Sequence, residues 1–358
     1  MKIPFLSLTP SGDAADIRAA IDRVIARGWF ILGPELEAFE QEFAAASGAA
    51  HAVGVGTGTD ALALSLTAAG IGAGDEVITS PLSAAYSALA IMMAGARPVF
   101  ADIDPDRLTM SPELVDRAVT PRTRAILPVH LYGQPADMPA LSDIAARRGL
   151  ILIEDCCQAH LATAAGRPVG TWGLAGAFSF YPTKNLGALG DAGAVITNDE
   201  ALAAKLRRLR NGGQTSRYHH AEFGVNSRLD EMQAAILRAR LPRLAGWTSA
   251  RRALAARYRA RLGDTPVRVP PEFDAGHVYH LFPVLSPQRD ALQARLRDAG
   301  IETLIHYPLA IPAQRAMAAV DPAPCPVATR VASEVLSLPL HPGLTPGEID
   351  DVAAAFAG

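Results

Sequence analysis

Short apolar runs recur along the first part of the chain, and helical or Gly/Pro-rich segments separate most of them. Short apolar runs bounded by turn residues are typical of buried strands. Their alternation with helices predicts an α/β fold with a mostly parallel seven-stranded sheet wrapped by helices. The predicted strands cover residues 51–56, 76–79, 98–101, 125–129, 150–153, 177–180 and 194–197.

The segments on either side of these strands have mainly helical patterns. Residues 1 to about 50 form an N-terminal arm and then a helical pattern that breaks at Gly33 and Pro34. Three segments follow the last strand: a helix that ends at 210–213, an irregular polar stretch over 214–227, and a long helical pattern over 228–262 that is interrupted near Pro242 and Gly246.

The C-terminal part has the pattern of a small α+β domain. We predict a strand over 278–285, a helix over 288–299, an extended segment over 301–308 and two further helices. A length of 358 residues suits two domains of unequal size. We therefore expect a large domain over residues 1–245, including the arm, and a small C-terminal domain over 246–358.

Composition narrows the classes of partner. A net charge of −3 offers no field that would attract nucleic acid or an acidic membrane. No apolar stretch approaches the roughly 20 residues of a membrane span, and the N-terminal apolar run is too short for a signal peptide, so we predict a cytoplasmic protein. Three cysteines, including Cys156 and Cys157, make neither a disulfide framework nor a zinc set, so we expect no metal.

Polar residues gather where the predicted strands end. In a parallel sheet, ligands bind at the carboxyl ends of the strands. Residues 57–60 follow the first strand with helix-cap chemistry, and the backbone N–H groups there, with the hydroxyls of Thr57 and Thr59, suit a phosphate. The other polar residues at this predicted edge are His130, Tyr132, Glu154, Asp155, Ser179 and Lys184.

Lys184 stands out because lysine is scarce in this chain. Of 33 basic residues only Lys2, Lys184 and Lys205 are lysine, and the others are arginine. A guanidinium stays protonated, whereas a partly desolvated ammonium can lose its proton and attack a carbonyl such as the aldehyde of pyridoxal phosphate. The alternative is a surface lysine in a loop.

Asp155 ends an apolar run, which places its carboxylate near the same edge. Beside pyridoxal phosphate, an aspartate facing the ring nitrogen keeps that nitrogen protonated, so that the ring can accept electrons. The alternative role is a cap for the following segment. Ser179 lies five residues before Lys184 and can join Thr57 and Thr59 on the phosphate. A glycine-rich dinucleotide site at 54–56 is the competing interpretation, but its third glycine would fall at Thr59.

Ordered motifs over nearly the whole length make the chain similar to the pyridoxal-phosphate-dependent sugar aminotransferases of the DegT/StrS type. The resemblance implies the aspartate-aminotransferase-like fold type I and a homodimer with shared active sites. It also implies L-glutamate as the usual amino donor and a nucleotide-linked keto-sugar, aminated at its 3-position, as the acceptor. The motifs are GTGTDAL (56–62), GARPVFAD (95–102), PVHLYG (128–133), EDCCQAH (154–160), SFYPTKNLGALGDAG (179–193), GVNSRLD (224–230) and SLPLHP (337–342).

The same resemblance assigns roles to individual residues. It implies Lys184 as the lysine that bonds to pyridoxal phosphate and shuttles protons, with pyridoxamine phosphate as the cofactor's second form. Asp155 would lie at the ring nitrogen and Gln158 near the ring hydroxyl. The phosphate would be held by Gly58, Thr59 and Ser179, with Asn226 reaching in from the partner subunit. Candidate sugar or nucleotide contacts, for which a polar loop is the alternative, are His306, Tyr307, His219 and His220.

Three positions depart from the family pattern. Ala84 stands where many members have an aromatic residue that stacks on the cofactor, so either Tyr86 replaces it or the ring is held without stacking. Ala192 and Leu161 stand where glycine is common. The alternatives that stay open are a keto-cyclitol acceptor and a regulatory or binding protein without turnover. Sugar dehydration is disfavoured because such relatives lack the lysine.

Overall fold

The apolar runs pair into one central sheet in the computed structural model, which describes residues 2–9, 12–320 and 322–356. The strands of the chain are β1 His51–Val55, β2 Glu76–Thr79, β3 Arg97–Phe100, β4 Thr123–Leu127, β5 Ile151–Asp155, β6 Thr163–Ala164, β7 Arg167–Pro168, β8 Ala175–Ser179, β9 Gly193–Thr197, β10 Gln214–Ser216, β11 His219–His220, β12 Phe282–Leu285 and β13 Val335–Leu338.

Helices connect these strands and cover both faces of the sheet. They are α1 Ala14–Arg27, α2 Pro34–Ala46, α3 Gly58–Ala68, α4 Tyr86–Met93, α5 Pro112–Ala118, α6 Met138–Arg148, α7 Glu200–Leu209, α8 Glu231–Arg240, α9 Leu244–Leu262, α10 Arg289–Asp298, α11 Pro326–Glu334 and α12 Pro346–Ala354. Among the described residues, no helix is both long enough and apolar enough to cross a bilayer.

The central sheet has seven strands in the order β1-β9-β8-β5-β4-β2-β3. Only β9 runs against its neighbours, because it pairs antiparallel with both β1 and β8. The mostly parallel seven-stranded sheet predicted from the sequence is therefore confirmed, with strand ends shifted by one or two residues. Sheets of this kind place their ligands at the carboxyl ends of the strands.

Apolar side chains fill a separate core on each face of the sheet. On one face, Phe39 and Phe43 of α2 meet Phe178 and Phe180 edge to face, with ring centroids 5.1 to 5.3 Å apart. Such aromatic pairs add to the free energy gained by burying the rings. This packing fixes the end of β8, which leads into the segment that carries Lys184.

Lys184 lies in the loop of the antiparallel hairpin formed by β8 and β9. The hairpin ladder extends past the strands, since the Phe180 N–H donates to the Ala192 carbonyl at 2.8 Å. Within the loop, the N–H of Lys184 donates to the Tyr181 carbonyl at 2.8 Å and that of Ala188 to Phe180 at 2.7 Å. The backbone on both sides of the lysine is thus held by hydrogen bonds.

A third core surrounds Tyr258 of α9 in the C-terminal part of the chain. The strands β12 and β13 pair antiparallel beside it, and the N-terminal residue Ile3 joins it through a parallel bridge to Ile301. The division of the chain at residues 245 and 246 stays a prediction. The strand β13 is absent from the sequence-based expectation, which placed only helices after residue 308.

Two local expectations differ from the structure. The helical pattern over 228–262 is interrupted at Leu241–Arg243, a short 3₁₀ helix around Pro242, but Gly246 lies inside α9 and does not interrupt it. The polar stretch over 214–227 contains the small hairpin of β10 and β11.

Leu161, which replaces a frequent glycine, has a φ of 58°, a left-handed conformation that favours glycine.

Candidate active site

The N-terminus of α3 lies at the carboxyl end of β1 and presents free backbone donors. Thr57 caps the helix, because its hydroxyl accepts the N–H of Asp60 at 3.0 Å. The N–H groups of Gly58 and Thr59 have no acceptor in the part of the chain that the structure describes. Unpaired N–H groups at a helix N-terminus form a site for an anion.

Ser179 completes this anion site from β8. A Cβ atom at Gly58 would lie 2.6 Å from the Ser179 Cβ and 2.9 Å from the Cys157 Sγ, so only glycine fits the approach of α3 to β8. The Ser179 hydroxyl oxygen accepts the Tyr181 N–H at 3.3 Å and keeps its own proton to donate. The expected phosphate residues Gly58, Thr59 and Ser179 are thus neighbours.

Asp155 ends β5 and is buried, with 5% of its surface exposed. One carboxylate oxygen, Oδ2, accepts the Ser87 hydroxyl at 2.8 Å, and Oδ1 accepts the Cys157 N–H at 3.1 Å. The bond to the Cys157 N–H caps the segment after β5, which is the alternative role that the sequence analysis gave for Asp155. Each carboxylate oxygen has a further lone pair, so Asp155 can also accept a proton-bearing ring nitrogen.

The amine of Lys184 lies in a half-buried position beside Asp155 and Cys157. Burial lowers the pKa of Lys184, while the charge that Cys157 and Asp155 can carry opposes the shift. A lowered pKa increases the fraction of neutral amine, which is the form that attacks a carbonyl and takes up a proton. This environment is different from that of a surface lysine.

Gln158, Tyr132, Tyr307 and His306 form a connected group next to the lysine. The Gln158 side chain accepts the Tyr132 N–H at 2.7 Å and donates to the Tyr307 hydroxyl at 3.0 Å, and the Tyr132 hydroxyl donates to the His306 carbonyl. Burial raises the pKa of Tyr307 to about 12. Burial and the charge of Lys184 lower the pKa of His306 to about 4, so this imidazole is neutral at pH 7.

Tyr86 is the first residue of α4 and lies at the rim of this group. Its side chain is 61% exposed, and the next residue, Ser87, donates to Asp155. Ala84 is half-buried in the turn before α4 and offers no ring to stack on a ligand. Whether Tyr86 takes over that role stays a prediction.

Three expected site residues lie elsewhere in the single chain. His219 and His220 form β11 of the exposed hairpin, where the His220 Nδ1 lies 2.7 Å from the Gly212 carbonyl oxygen. Asn226 is exposed and makes a backbone bridge to Asn211. Among the described residues, none of the three has a hydrogen bond to the group around Lys184.

His130 and Glu154, which the sequence placed at the ligand edge, belong instead to a buried hydrogen-bond network on the other face of the sheet. The Glu154 carboxylate accepts three backbone N–H groups, those of Gly170 (2.7 Å), Trp172 (2.8 Å) and Gly173 (3.1 Å). Its fourth bond is to the Nε2 of His130 at 3.2 Å. Both side chains have zero exposure.

The ligand-type atoms of His130, Glu154 and Cys156 lie within 4.8 Å of one another. The His130 Nδ1 accepts the Ala136 N–H at 3.1 Å, so Nε2 must carry the ring proton that it donates to Glu154. The imidazole therefore has no free lone pair for a metal. We interpret this group as structural.

The sequence analysis did not identify the residues that hold the predicted site residues in place. Ser87 was missed because no local pattern links it to Asp155, which lies 68 positions away. His160 contacts the Ser179 carbonyl at 2.9 Å, and burial together with the charge of Lys184 lowers its pKa to about 3. Its place in the EDCCQAH motif could have indicated it. Asn185 anchors the lysine loop by donating to the Val278 carbonyl at 3.0 Å.

These groups fit pyridoxal phosphate. The donors at Gly58, Thr59 and Ser179 suit its phosphate, and the cradle between α3 and β8 is open only because residue 58 has no Cβ. Asp155 and Lys184 supply a carboxylate and an amine on the same side of the sheet. Hydride transfer by a nicotinamide dinucleotide requires no covalent bond to a lysine amine.

Comparisons with known proteins agree with this chemistry. The sequence profile of the DegT/DnrJ/EryC1/StrS aminotransferase family matches residues 12–357. The chain is 49% identical over 352 residues to the dTDP-3-amino-3,4,6-trideoxy-alpha-D-glucose transaminase of Streptomyces venezuelae, covering 96% of this chain and 92% of that protein.

Solved structures show the same fold. The crystal structure of S. venezuelae DesV superposes with a TM-score of 0.95 at 48% identity, covering 99% of this chain and 97% of that one. The structure of Bacillus subtilis NtdA, with bound cofactor PMP, superposes with a TM-score of 0.94 at 32% identity, covering 99% and 84% of the two chains.

Proposed function

The chain belongs to the DegT/DnrJ/EryC1/StrS aminotransferase family, and we propose that it aminates carbon 3 of a nucleotide-linked keto-sugar with L-glutamate as the donor. It is a pyridoxal-phosphate-dependent aminotransferase. The single observation that carries the proposal is the half-buried amine of Lys184 beside Asp155 and the anion site of α3. The 3-position is supported by the name of the relative that is 49% identical.

Five residues would hold the cofactor. Gly58, Thr59 and Ser179 would bind its phosphate, Asp155 its ring nitrogen and Gln158 its ring hydroxyl. When bound, pyridoxal phosphate supplies an electrophilic carbon for the amine and a protonated ring that withdraws electrons from the substrate. Ser87 keeps Asp155 oriented through its 2.8 Å hydrogen bond.

Lys184 moves the protons of the reaction. With the cofactor and the amino acid donor in place, the amine of Lys184 would take the proton from the donor α-carbon and hold it for return in the same reaction. The same residue performs the reverse transfer on the keto-sugar. Its lowered pKa favours this role, because a general base works best when its pKa is close to the working pH.

The acceptor sugar would lie against His306 and Tyr307. Both are neutral at pH 7, since burial lowers the pKa of His306 to about 4 and raises that of Tyr307 to about 12. Neutral donors and acceptors suit the hydroxyl groups of a sugar. The role of His219 and His220 as contacts for the sugar or nucleotide is part of the same proposal.

We further propose a homodimer in which each active site receives Asn226 and the hairpin of β10 and β11 from the other subunit. Support comes from exposed apolar side chains, which a partner of the same kind would cover. Tyr218 and Phe223, on either side of the two histidines, are 76% and 92% exposed, and Trp29 and Phe30 are 55% and 52% exposed.

The function can be tested in two half-reactions. The protein loaded with pyridoxal phosphate should lose its visible absorption band on addition of L-glutamate. The amine form should then regain that band when mixed with a dTDP- or UDP-linked 3-keto-sugar, and mass spectrometry should find the amino sugar. Recovery of the band with a 4-keto-sugar or a keto-cyclitol alone, or with none of these acceptors, would overturn the proposed acceptor. A band that L-glutamate leaves unchanged would favour the binding-protein alternative.

The shared site can be tested by mixing inactive subunits. Lys184→Ala and Asn226→Ala homodimers should each have little activity. A mixed dimer contains one site with both native residues, so it should have about half of the activity of a native dimer. Random exchange of equal amounts makes about half of the dimers mixed, so the mixture should regain about a quarter of the native activity. No recovery after verified subunit exchange would mean that Asn226 acts within its own chain.

A further inference from the structure

A cavity of about 390 Å³ extends from Lys184 along the side of its loop. Its walls are the N-terminal segment 6–9, the lysine loop, the first turns of α9 and the segment 341–343. The cavity therefore joins the reactive amine to charged residues outside the cofactor cradle.

Arg251 of α9 lines this cavity, and its charge has no partner. The side chain is 4% exposed, and only Nη1 is bonded, chiefly to the Leu340 carbonyl at 2.7 Å. The Nε atom is buried without a hydrogen-bond partner. Within the described ranges 2–9, 12–320 and 322–356, no carboxylate lies within ion-pair distance of Arg251.

The other charges in the cavity do not neutralise Arg251. Asp13 pairs with Arg240 at 2.9 Å, which leaves only the Asp13 Oδ1 without a partner. Burial lowers the pKa of His341, so this neighbour is neutral at pH 7, and its Nε2 has no partner either. Lys184 adds a further positive charge whenever its amine is protonated. The cavity thus has an excess of positive charge.

Arg251 has donors that the described residues do not use. Nη1 donates to backbone carbonyls, Nε is buried without an acceptor, and Nη2 has no hydrogen bond among the described residues. A guanidinium with Nε and Nη2 both unused can bind a carboxylate through two parallel hydrogen bonds. Burying an unpaired guanidinium costs free energy that a bound anion would recover. The amino acid donor brings a carboxylate next to Lys184 in the first half-reaction.

We propose that Arg251 binds a carboxylate of the amino acid donor, with His341 as a second polar contact. The proposal rests on the aminotransferase function described above and assigns the donor subsite to α9 and the segment 341–343. The acceptor sugar, by contrast, would use His306 and Tyr307. Donor and acceptor would therefore share Lys184 but differ in the residues that hold them away from the reacting carbon.

The test separates the two half-reactions. In Arg251→Lys, the concentration of L-glutamate that half-saturates conversion to the amine form should rise about 10- to 100-fold, because a lysine cannot form the two-pronged contact. The reaction of the preformed amine form with the keto-sugar should keep its rate and half-saturation. Arg252→Lys is the matched control, since Arg252 is the next residue of α9 and donates to the His277 carbonyl at 2.8 Å.

Binding can be measured without turnover as well. α-Methyl-L-glutamate has no α-proton to lose, so its absorbance titration reports binding alone, and its affinity should fall by the same factor in Arg251→Lys. Comparison of L-glutamate with L-alanine identifies the carboxylate: an equal loss for both donors assigns the α-carboxylate, and a loss for glutamate alone assigns the side-chain carboxylate.

Two outcomes would overturn the proposal. One is unchanged saturation by L-glutamate in a folded Arg251→Lys protein, and the other is a loss confined to the keto-sugar half-reaction, which would place the nucleotide phosphates at Arg251. If Arg251→Lys does not fold, His341→Gln gives the same test with a smaller expected effect of about threefold. Failure of every nucleotide-linked keto-sugar would contradict the proposed acceptor but would leave the donor measurements valid.

Discussion

Glu154 and Asp155 are adjacent acidic residues at the end of β5, and they lie in different hydrogen-bond environments. Successive residues of a strand point to opposite faces of a sheet. Glu154 therefore points into a buried network in which four donors occupy its carboxylate. Asp155 points towards Lys184 with two donors and spare lone pairs.

The comparison shows that hydrogen-bond saturation, and not residue type, distinguishes the reactive face from the structural one. The structural face contains His130, Glu154 and Cys156, a set that would suit a metal, yet the imidazole of His130 and the carboxylate of Glu154 are already paired. The other face leaves the N–H groups of Gly58 and Thr59 at the start of α3 unpaired. Unpaired polar groups in a buried position are where a ligand gains free energy.

The largest effect that this comparison predicts is at Lys184. Lys184→Ala should reduce transamination by more than about 10⁴-fold, since it removes both the covalent attachment and the proton shuttle. The melting temperature should change little. Borohydride reduction followed by peptide mass spectrometry should label Lys184 in the native protein and no lysine in the variant, and turnover retained by the variant would contradict the mechanism.

Asp155→Asn is the next largest expected effect. The amide cannot hold a proton on the ring nitrogen, so the rate of the first half-reaction should fall by about 10²- to 10³-fold while the cofactor stays bound. Stopped-flow absorbance with L-glutamate measures the rate, and the absorption spectrum checks the cofactor. An unchanged rate would reduce Asp155 to a cap of the following turn.

Glu154→Gln makes the same chemical change one residue earlier and should have the reverse result. Its amide group would face backbone N–H donors, so the free energy of unfolding should fall by about 2–4 kcal/mol, while the activity per folded molecule stays near that of the native protein. Urea unfolding compared with Asp155→Asn gives the contrast. A loss of rate without a loss of stability would place Glu154 in the chemistry.

His160, which contacts the Ser179 carbonyl and the rings of Phe178 and Phe180, gives a pH-dependent test of stability. Its pKa of about 3 in the folded protein is below the usual 6.5, so between these values the unfolded chain binds more protons. Its contribution to stability is therefore complete above pH 6.5 and is lost as the pH falls towards 3. His160→Gln should flatten this dependence by up to about 1.4 kcal/mol per pH unit, measured by urea unfolding from pH 4 to 6.

The smallest expected effect concerns the ring packing that Ala84 cannot provide. If Tyr86 stacks on the cofactor, Tyr86→Ala should weaken cofactor binding by about 1 kcal/mol, or roughly fivefold. Met93→Ala is a matched control, because Met93 is the last residue of the same helix and is 60% exposed compared with 61% for Tyr86. Equal cofactor affinity in both variants would mean that the ring is held without stacking.

The sheet could be predicted from the sequence because each of its strands contains a short apolar run that is visible locally. The sequence did not predict β13, since a strand of four residues is stabilised by its partner β12, about 50 positions earlier, more than by its own pattern. Gly246 was taken as a helix breaker, but the packing of α9 outweighs the modest helix propensity of one glycine.

The candidate site was predicted where one residue type carries the chemistry and less well where a role depends on direction. Lys184, Asp155 and Ser179 could be identified from their types and from the strand ends. Glu154 was grouped with Asp155, although alternation along a strand places them on opposite faces. Ser87 and Arg251 gave no local indication, because their significance arises from distant partners or from the lack of one.

The hairpin that carries Lys184 has one further consequence, for engineering. The bond between Phe180 and Ala192 closes the loop at its base, and both of its strands belong to the rigid sheet. Substitutions within the segment between these two residues should therefore leave the register of β8 and β9 unchanged. The loop can then be altered for engineering while its base stays in place, whereas the donor subsite proposed on α9 and 341–343 has to be altered separately.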